Sequence, residues 1–458
     1  MLIDLPKVVL VKRKYDCPEL TESVPSIVRA QLDNVFSSHA IPLNSRIGIC
    51  AGSRGIFNLR EITKCAVDEI CSRGHAPVII PAMGSHGGAT DEGQREMLAD
   101  PEIGISESTM GCEMDARMDT VLLDDTGPFP IYWAQSALDC DFVLLINRIK
   151  IHTEIFGAPN ARDVGMELEG CLHSGLMKML AIGLGKQKGA QTYHSQIPTA
   201  LGLGGAMMVG AKLLIESSAS REKGKVLGGL AIVENSFDRT AVIEGIPYDF
   251  NNPQAGFSRE LELLQQANTM MPRLPVDDLD VLWIGQMGKR ISGTGMDTNV
   301  LNRNPYGYTP GDRWRGQGSS VHKVVCSSLQ SSSHGNAHGM GLADFITKRL
   351  ADVIDPEATT LNSLTAFSPL LCSRPPVMKN DREAILAAIR TSPAVNSGAP
   401  AFAAIPDTLH PGDALVSESV LGRINKDAFA FPFGHDLAEM KFDGQGYLVW
   451  PKRFQDSH

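Results

Sequence analysis

Hydrophobic positions between Thr21 and Phe36 fall on one face of a helix, with Val24, Ile27, Val28, Leu32, Val35 and Phe36 recurring at spacings of three and four. The short apolar run Arg46-Ile47-Gly48-Ile49-Cys50 has the pattern of a buried strand and empties into the loop Ala51-Gly52-Ser53-Arg54-Gly55. A second amphipathic helix is predicted from about Asn58, with Ile62, Cys65, Ala66 and Ile70 facing inward and Gly74 as its stop. Pro77 to Ile80 is the next strand. It breaks into Met83-Gly84-Ser85-His86-Gly87-Gly88, after which Thr90-Asp91-Glu92 opens another helix in the manner of an N-cap. Asp141 to Asn147 is a continuous apolar run, the pattern of a central strand, and it delivers Arg148-Ile149-Lys150-Ile151-His152-Thr153. This alternation predicts a parallel sheet whose loops gather at the carboxyl ends of the strands, with Arg54, His86 and His152 on that rim.

Further along, Gly157 to Cys171 reads as an inserted polar loop. Gly202 to Gly210 is rich in glycine but follows no strand, so close helix packing accounts for it better than a nucleotide loop. Lys225 to Val233 resumes strand character and Ser258 to Gln266 reads as a helix. The prolines of Met270-Met271-Pro272-Arg273-Leu274-Pro275 mark a boundary. Beyond it, the strand Leu279 to Gly285 begins a second unit, and its loop, Gln286 to Asp297, is expected to face the first domain. Helices are expected around Gly341 to Ile354 and Arg382 to Ile389, and a strand within Asp413 to Val420. The predicted organisation is α/β: two domains with Rossmann-like parallel sheets and an active-site cleft between them. The first domain spans 1–271 and the second 272–400, with 401–458 returning to the first.

Composition narrows the field. At 458 residues, with 43% hydrophobic and 21% charged positions, the chain can bury the cores of more than one domain. A formal net charge of -10 argues against a nucleic-acid surface. No apolar run reaches the length of a membrane span, and the first residues lack the basic-then-apolar order of a signal peptide. Nine cysteines, an odd number without a C-x-x-C pair, fit reduced thiols. A cytoplasmic protein is expected.

The chemistry centres on Lys178, a lone cation within Leu176-Met177-Lys178-Met179-Leu180-Ala181-Ile182. Desolvation pushes such a lysine toward its neutral amine, which can form a covalent adduct. Past the glycine-rich turn 183–189 stands His194, sixteen residues on, where an imidazole could ligate a metal held beside that adduct. The simpler reading is a lysine snorkelling from a helix with a surface histidine beyond it. His86, His152 and His194 all occupy loop positions expected to converge, whereas His173 belongs to the inserted loop. His334 and His338 have the spacing of a helical metal pair, but the intervening glycine opposes a helix.

These segments resemble a known family. Ser174-Gly175-Leu176-Met177-Lys178 with His194 looks like the cofactor-anchoring segment of the nickel-dependent lactate racemases. Met83 to Glu92 is similar to the family's Gly-x-His loop, Ile151 to Gly157 to its second histidine segment, and Gly293 to Asn299 to the glycine-Asp-x-Asn loop of its second domain. The resemblance runs from about residue 45 to 345. It implies a racemase or epimerase of 2-hydroxy acids using a nickel-pincer nucleotide covalently attached to Lys178, with His194 as the nickel ligand. His86 and His152 then map onto the acid/base pair, with His173 the alternative for the second member, and Arg54 onto the substrate-side arginine. Ser53, Ser174, Gly175, Gly295, Asp297 and Asn299 map onto the cofactor side. Expected partners are a small 2-hydroxy acid and the cofactor-synthesis enzymes, with no nucleic acid or membrane; a homo-oligomer is compatible. Departures exist: Ala51-Gly52-Ser53 stands where the lactate enzyme carries an aspartate, and the inserted loop widens the gap between His152 and Lys178. The family's second-domain Gln and Lys map onto Gln286 and Lys289, or onto Asn302 and Arg303.

The chemistry makes sense independently. The α-hydrogen of a hydroxy acid is too weakly acidic for a side-chain base. Its removal as hydride, while a histidine takes the hydroxyl proton, avoids a carbanion, and two histidines serve the two enantiomers. Arg54 could hold the carboxylate bidentately. Two alternatives remain: an NAD-dependent 2-hydroxy acid oxidoreductase using the Gly202 region, and a non-catalytic homologue that binds a small acid or nucleotide.

Overall fold

The computed structural model describes residues 4–52, 55–151, 173–197, 199, 201–307 and 319–451, His173 and Ser174 by backbone alone. The chain forms two units, one of residues 16–271 and one of residues 1–15 with 272–458. Its first strand, β1 (Val8–Arg13), belongs to the latter.

In the 16–271 unit, β2 (Arg46–Ala51), β3 (Ala76–Pro81), β4 (Glu113–Met114), β7 (Phe142–Arg148), β10 (Lys225–Glu234) and β11 (Thr240–Pro247) form one sheet. Two small ribbons, β5 (Thr120–Asp124) with β6 (Ile131–Ala134) and β8 (Lys150–Ile151) with β9 (His173–Ser174), stand apart from it. The sheet order is β11-β10-β7-β2-β3-β4, parallel except for β10–β11. Chain order therefore reverses between β2 and β7, which makes the carboxyl ends of these two strands the switch point of the sheet. The apolar run of β7 follows from burial on both faces. Val143 and Leu145 enter one core with Leu176, Met177 and Leu180, while Phe142, Leu144 and Ile146 enter the other with Val28, Leu32 and Ile62.

The helices begin where the sequence supplies caps. Ser23 accepts from Ser26 N ahead of the helix Val24–Ser37, and Thr90 Oγ1 accepts from Gly93 N at 3.0 Å ahead of Asp91–Ala99. The glycines from 202 lie in a helix, Gly202–Glu216, as packing arguments anticipated. A Cβ on Gly210 would collide with the Tyr193 hydroxyl of the preceding helix. No helix among the described residues is long and apolar enough to cross a membrane.

The second unit is built on β12 (Asp278–Met287), β13 (Ser320–Leu329), β14 (Phe345–Thr347), β15 (Val377–Met378), β16 (Phe402–Ile405), β17 (Asp413–Ser417) and β18 (Phe429–Ala430), joined by β1 in the order β15-β14-β13-β12-β16-β17-β1-β18. Two expectations are corrected here. The described residues of 401–458 do not return to the first domain: β16 pairs in parallel with β12, and β17 pairs with β1. The N-terminal strand crosses over instead, because β17 presents an edge that Val8 to Lys12 completes. Gly341 to Ile354 is not one helix. Burial of Ile346 and Leu350 draws it into a 3-10 turn, β14 and the short helix Lys348–Ala351.

Candidate functional site

Lys178 ends a short helix, Leu176–Lys178, that continues as a π-helical turn, Met179–Gly183, with Leu184 N donating to Met179 O at 2.9 Å. Such wide turns recur at functional sites because they displace a side chain from the regular helical track. Lys178 is half-buried while Leu176, Met177, Met179 and Leu180 are buried around it. The start of this helix is fixed from below. Glu260, fully buried, accepts from Leu176 N at 2.9 Å and Met177 N at 3.4 Å, and also from the Tyr248 hydroxyl. Burial, with the neighbouring Glu260 carboxylate second, pushes the Tyr248 phenol well above its usual range. The carboxylate also complements the positive end of the helix.

The same segment lies at the switch point of the sheet. Asn147, in β7, donates from Nδ2 to Gly175 O at 2.8 Å. Gly52, just past β2, sits so that a Cβ would lie 3.5 Å from the Met179 methyl and 3.7 Å from Asn147 Oδ1. From β3, the loop carrying His86 packs on the π turn: Gly84 N donates to Gly183 O at 3.0 Å. Gly183 is required there, since a Cβ would fall 2.5 Å from Ala82 O. A Cβ on Gly84 would reach Ala190 at 3.4 Å, so the loop also meets the helix Lys186–His194.

His194 closes that helix, half-buried, with Nδ1 2.6 Å from Ala190 O. A carbonyl oxygen only accepts, so Nδ1 is the donor, and an imidazole of that tautomer presents its Nε2 lone pair to a metal. His86 is exposed. Its backbone N donates to Met83 O at 3.3 Å and its carbonyl accepts from Gln94 Nε2 at 3.4 Å.

The structure thus places Gly175 and the Lys178 helix against β7 and the end of β2, with the His86 loop packed on the π turn and on the helix that His194 ends. Ser53, Arg54 and His152 lie outside the described residues. Gly52 precedes the first two, and Ile151, which precedes His152, pairs with His173 across β8–β9. Gly295, Asp297 and Asn299 belong to the other unit, beyond the carboxyl end of β12. There Asp297 caps Thr298–Leu301, accepting from Asn299 N at 2.8 Å, and its own N donates to Thr408 Oγ1 at 2.9 Å. Asn299 Nδ2 is buried with no hydrogen-bond partner among the described residues. In the same loop region Lys289 Nζ donates to Gly293 O at 2.7 Å. Arg303 is taken up by Asp344, at 2.7 Å, and by backbone carbonyls. His338 is buried against Ser363 Oγ at 2.7 Å and His334 is left-handed, so the two do not share a helix.

Sequence reasoning missed the side chains that hold this site. Lys186, in the polar-looking turn Gly185-Lys186-Gln187-Lys188-Gly189, is fully buried, and burial lowers its pKa to about 8. Its Nζ donates to Pro81 O at 2.8 Å and to Gln94 Oε1 at 3.0 Å. Glu260 likewise had no local signal. A surface depression of about 660 Å³ adjoins Gly87, but Glu92, Glu96 and Asp100 line it, so its charge opposes a carboxylate substrate. Among the described residues, no three His, Cys, Asp or Glu gather as a metal site made of side chains alone. A single imidazole suits a metal whose other donors come from an organic ligand. No family model matches this chain, and a search of curated proteins finds no match.

Proposed function

We propose that the protein is a racemase or epimerase of a 2-hydroxy acid that works with a nickel-pincer nucleotide tethered to Lys178. What supports this reading is the place of the Lys178 segment at the β2/β7 switch point, where open α/β sheets bind ligands, with the His86 loop packed on the same π turn. The group would supply a hydride acceptor when bound. Lys178 would hold it covalently, His194 through Nε2 would bind its metal, and Gly175 would line its place beside Asn147. His86 would take or return the substrate hydroxyl proton on one face, with His152 serving the other and Arg54 orienting the carboxylate. A cytoplasmic setting and dependence on cofactor-synthesis enzymes belong to the same proposal.

The NAD alternative draws less support. The described residues before Gly202 form the helix Lys186–His194 and a turn, with no strand among them of the kind a dinucleotide loop requires. The test is chiral chromatography of single enantiomers of lactate, 2-hydroxybutyrate and malate, using protein co-expressed with cofactor-synthesis enzymes and no added NAD. Inversion that is lost in both Lys178→Ala and His86→Ala is expected. Turnover only with NAD, or none at all, contradicts the proposal.

A further inference from the structure

Lys186 is the least expected residue in the fold: a full cation, entirely buried, at the head of the helix that ends in His194. Its backbone is left-handed, φ +51°, which turns the side chain away from the usual course of a helix start. Asp91 and Asp115 attract it, but its Nζ is hydrogen-bonded to Pro81 O and Gln94 Oε1 rather than to a carboxylate. Burying an ammonium this way costs more than an aliphatic side chain of equal length would. The hydrogen bonds show what the cost secures. An ammonium only donates, so Gln94 must turn Oε1 toward it. The amide is thereby oriented, and Nε2 donates to Gly84 O at 2.9 Å and His86 O at 3.4 Å. Pro81 ends β3, so the two side chains grip the Pro81–His86 segment at both ends.

We infer that Lys186 and Gln94 form a positioning pair that fixes the His86 loop against the helix bearing His194, Lys186 acting through the orientation it imposes on Gln94. The inference rests on the proposed function only in giving His86 a substrate to act on. The contact of Gly84 with Gly183 and Ala190 is the second hold on the same loop, so the loop should loosen without the unit unfolding.

The test compares wild type, Lys186→Met, Gln94→Met, the double variant and Gln94→Glu. All are full-length and co-expressed with cofactor-synthesis enzymes. Three quantities are read: amide hydrogen exchange, intact mass, and kcat and KM on whichever acid of the enantiomer panel the wild type inverts. Each single variant should speed exchange at residues 82–88 about tenfold, as loss of one net hydrogen bond would. The double variant should add little more. Gln94→Glu keeps an acceptor for Lys186 but removes the donor to the loop, so it should loosen the loop as Gln94→Met does. The adduct on Lys178 should persist. kcat should fall about 10- to 100-fold with KM within about threefold, because His86 is displaced rather than substrate binding lost. Unchanged exchange at 82–88 in Gln94→Met, or a rise spread equally over β2 and β7, would overturn the pairing. Should wild type carry neither adduct nor activity, the functional proposal falls, and the exchange data still decide the positioning pair.

Discussion

Replacing Glu260 with alanine is the sharpest probe of how the Lys178 helix is held. The carboxylate is fully buried and accepts from two backbone N–H groups at the helix start and from the Tyr248 hydroxyl. Alanine leaves three buried donors without acceptors, each costing about 1–3 kcal/mol. Water entering the vacated space would recover part of this, so the net loss should be about 3–5 kcal/mol, the range for a broken buried network. Glutamine should cost only about 1 kcal/mol, because Oε1 can face the two N–H groups while Nε2 donates to the phenol oxygen. Urea unfolding gives the global cost, and amide exchange at Leu176 and Met177 locates it. If Glu260→Ala stays within about 1 kcal/mol of wild type with exchange unchanged, the account of this helix start is wrong. If Glu260→Gln is as damaging as Glu260→Ala, negative charge matters rather than acceptor geometry.

Two further expectations follow from the same packing. Gly183→Ala should destabilise by about 2–4 kcal/mol in urea unfolding, combining overpacking against Ala82 O with loss of the Gly84 N–Gly183 O bond. Lys186 should make stability rise with pH: its folded pKa is lowered to about 8, so above that value the folded protein releases a proton that the unfolded chain keeps up to about 10.5. Across that window wild type should gain on Lys186→Met by about 3 kcal/mol, and parallel urea-stability curves for the two proteins from pH 7 to 10 would count against it.

Much of the architecture was legible because the relevant signals are local. Continuous apolar runs gave β2, β3, β7, β10 and β12 their places, and Thr90 announced the helix it caps. The placement of 401–458 was not legible, since pairing of β16 with β12 and of β17 with β1 depends on partners more than a hundred residues away. The strand Phe345–Thr347 is too short for its alternation to outweigh the surrounding helical spacing. At the site, motif residues such as Lys178 and His194 stood out by type and spacing. Their supports did not: Lys186 finds Gln94 92 positions away, and Leu176 finds Glu260 84 positions away. A polar residue bound for such a partner reads, in one dimension, like any solvated one.

The central claim is the tether. Intact mass, peptide mapping and metal analysis on wild type and Lys178→Ala, each co-expressed with the cofactor-synthesis enzymes, test it directly. The account expects a nucleotide-sized adduct on the peptide containing Lys178, with stoichiometric nickel, and neither in Lys178→Ala. Wild-type protein of unmodified mass and without nickel under those conditions would contradict it.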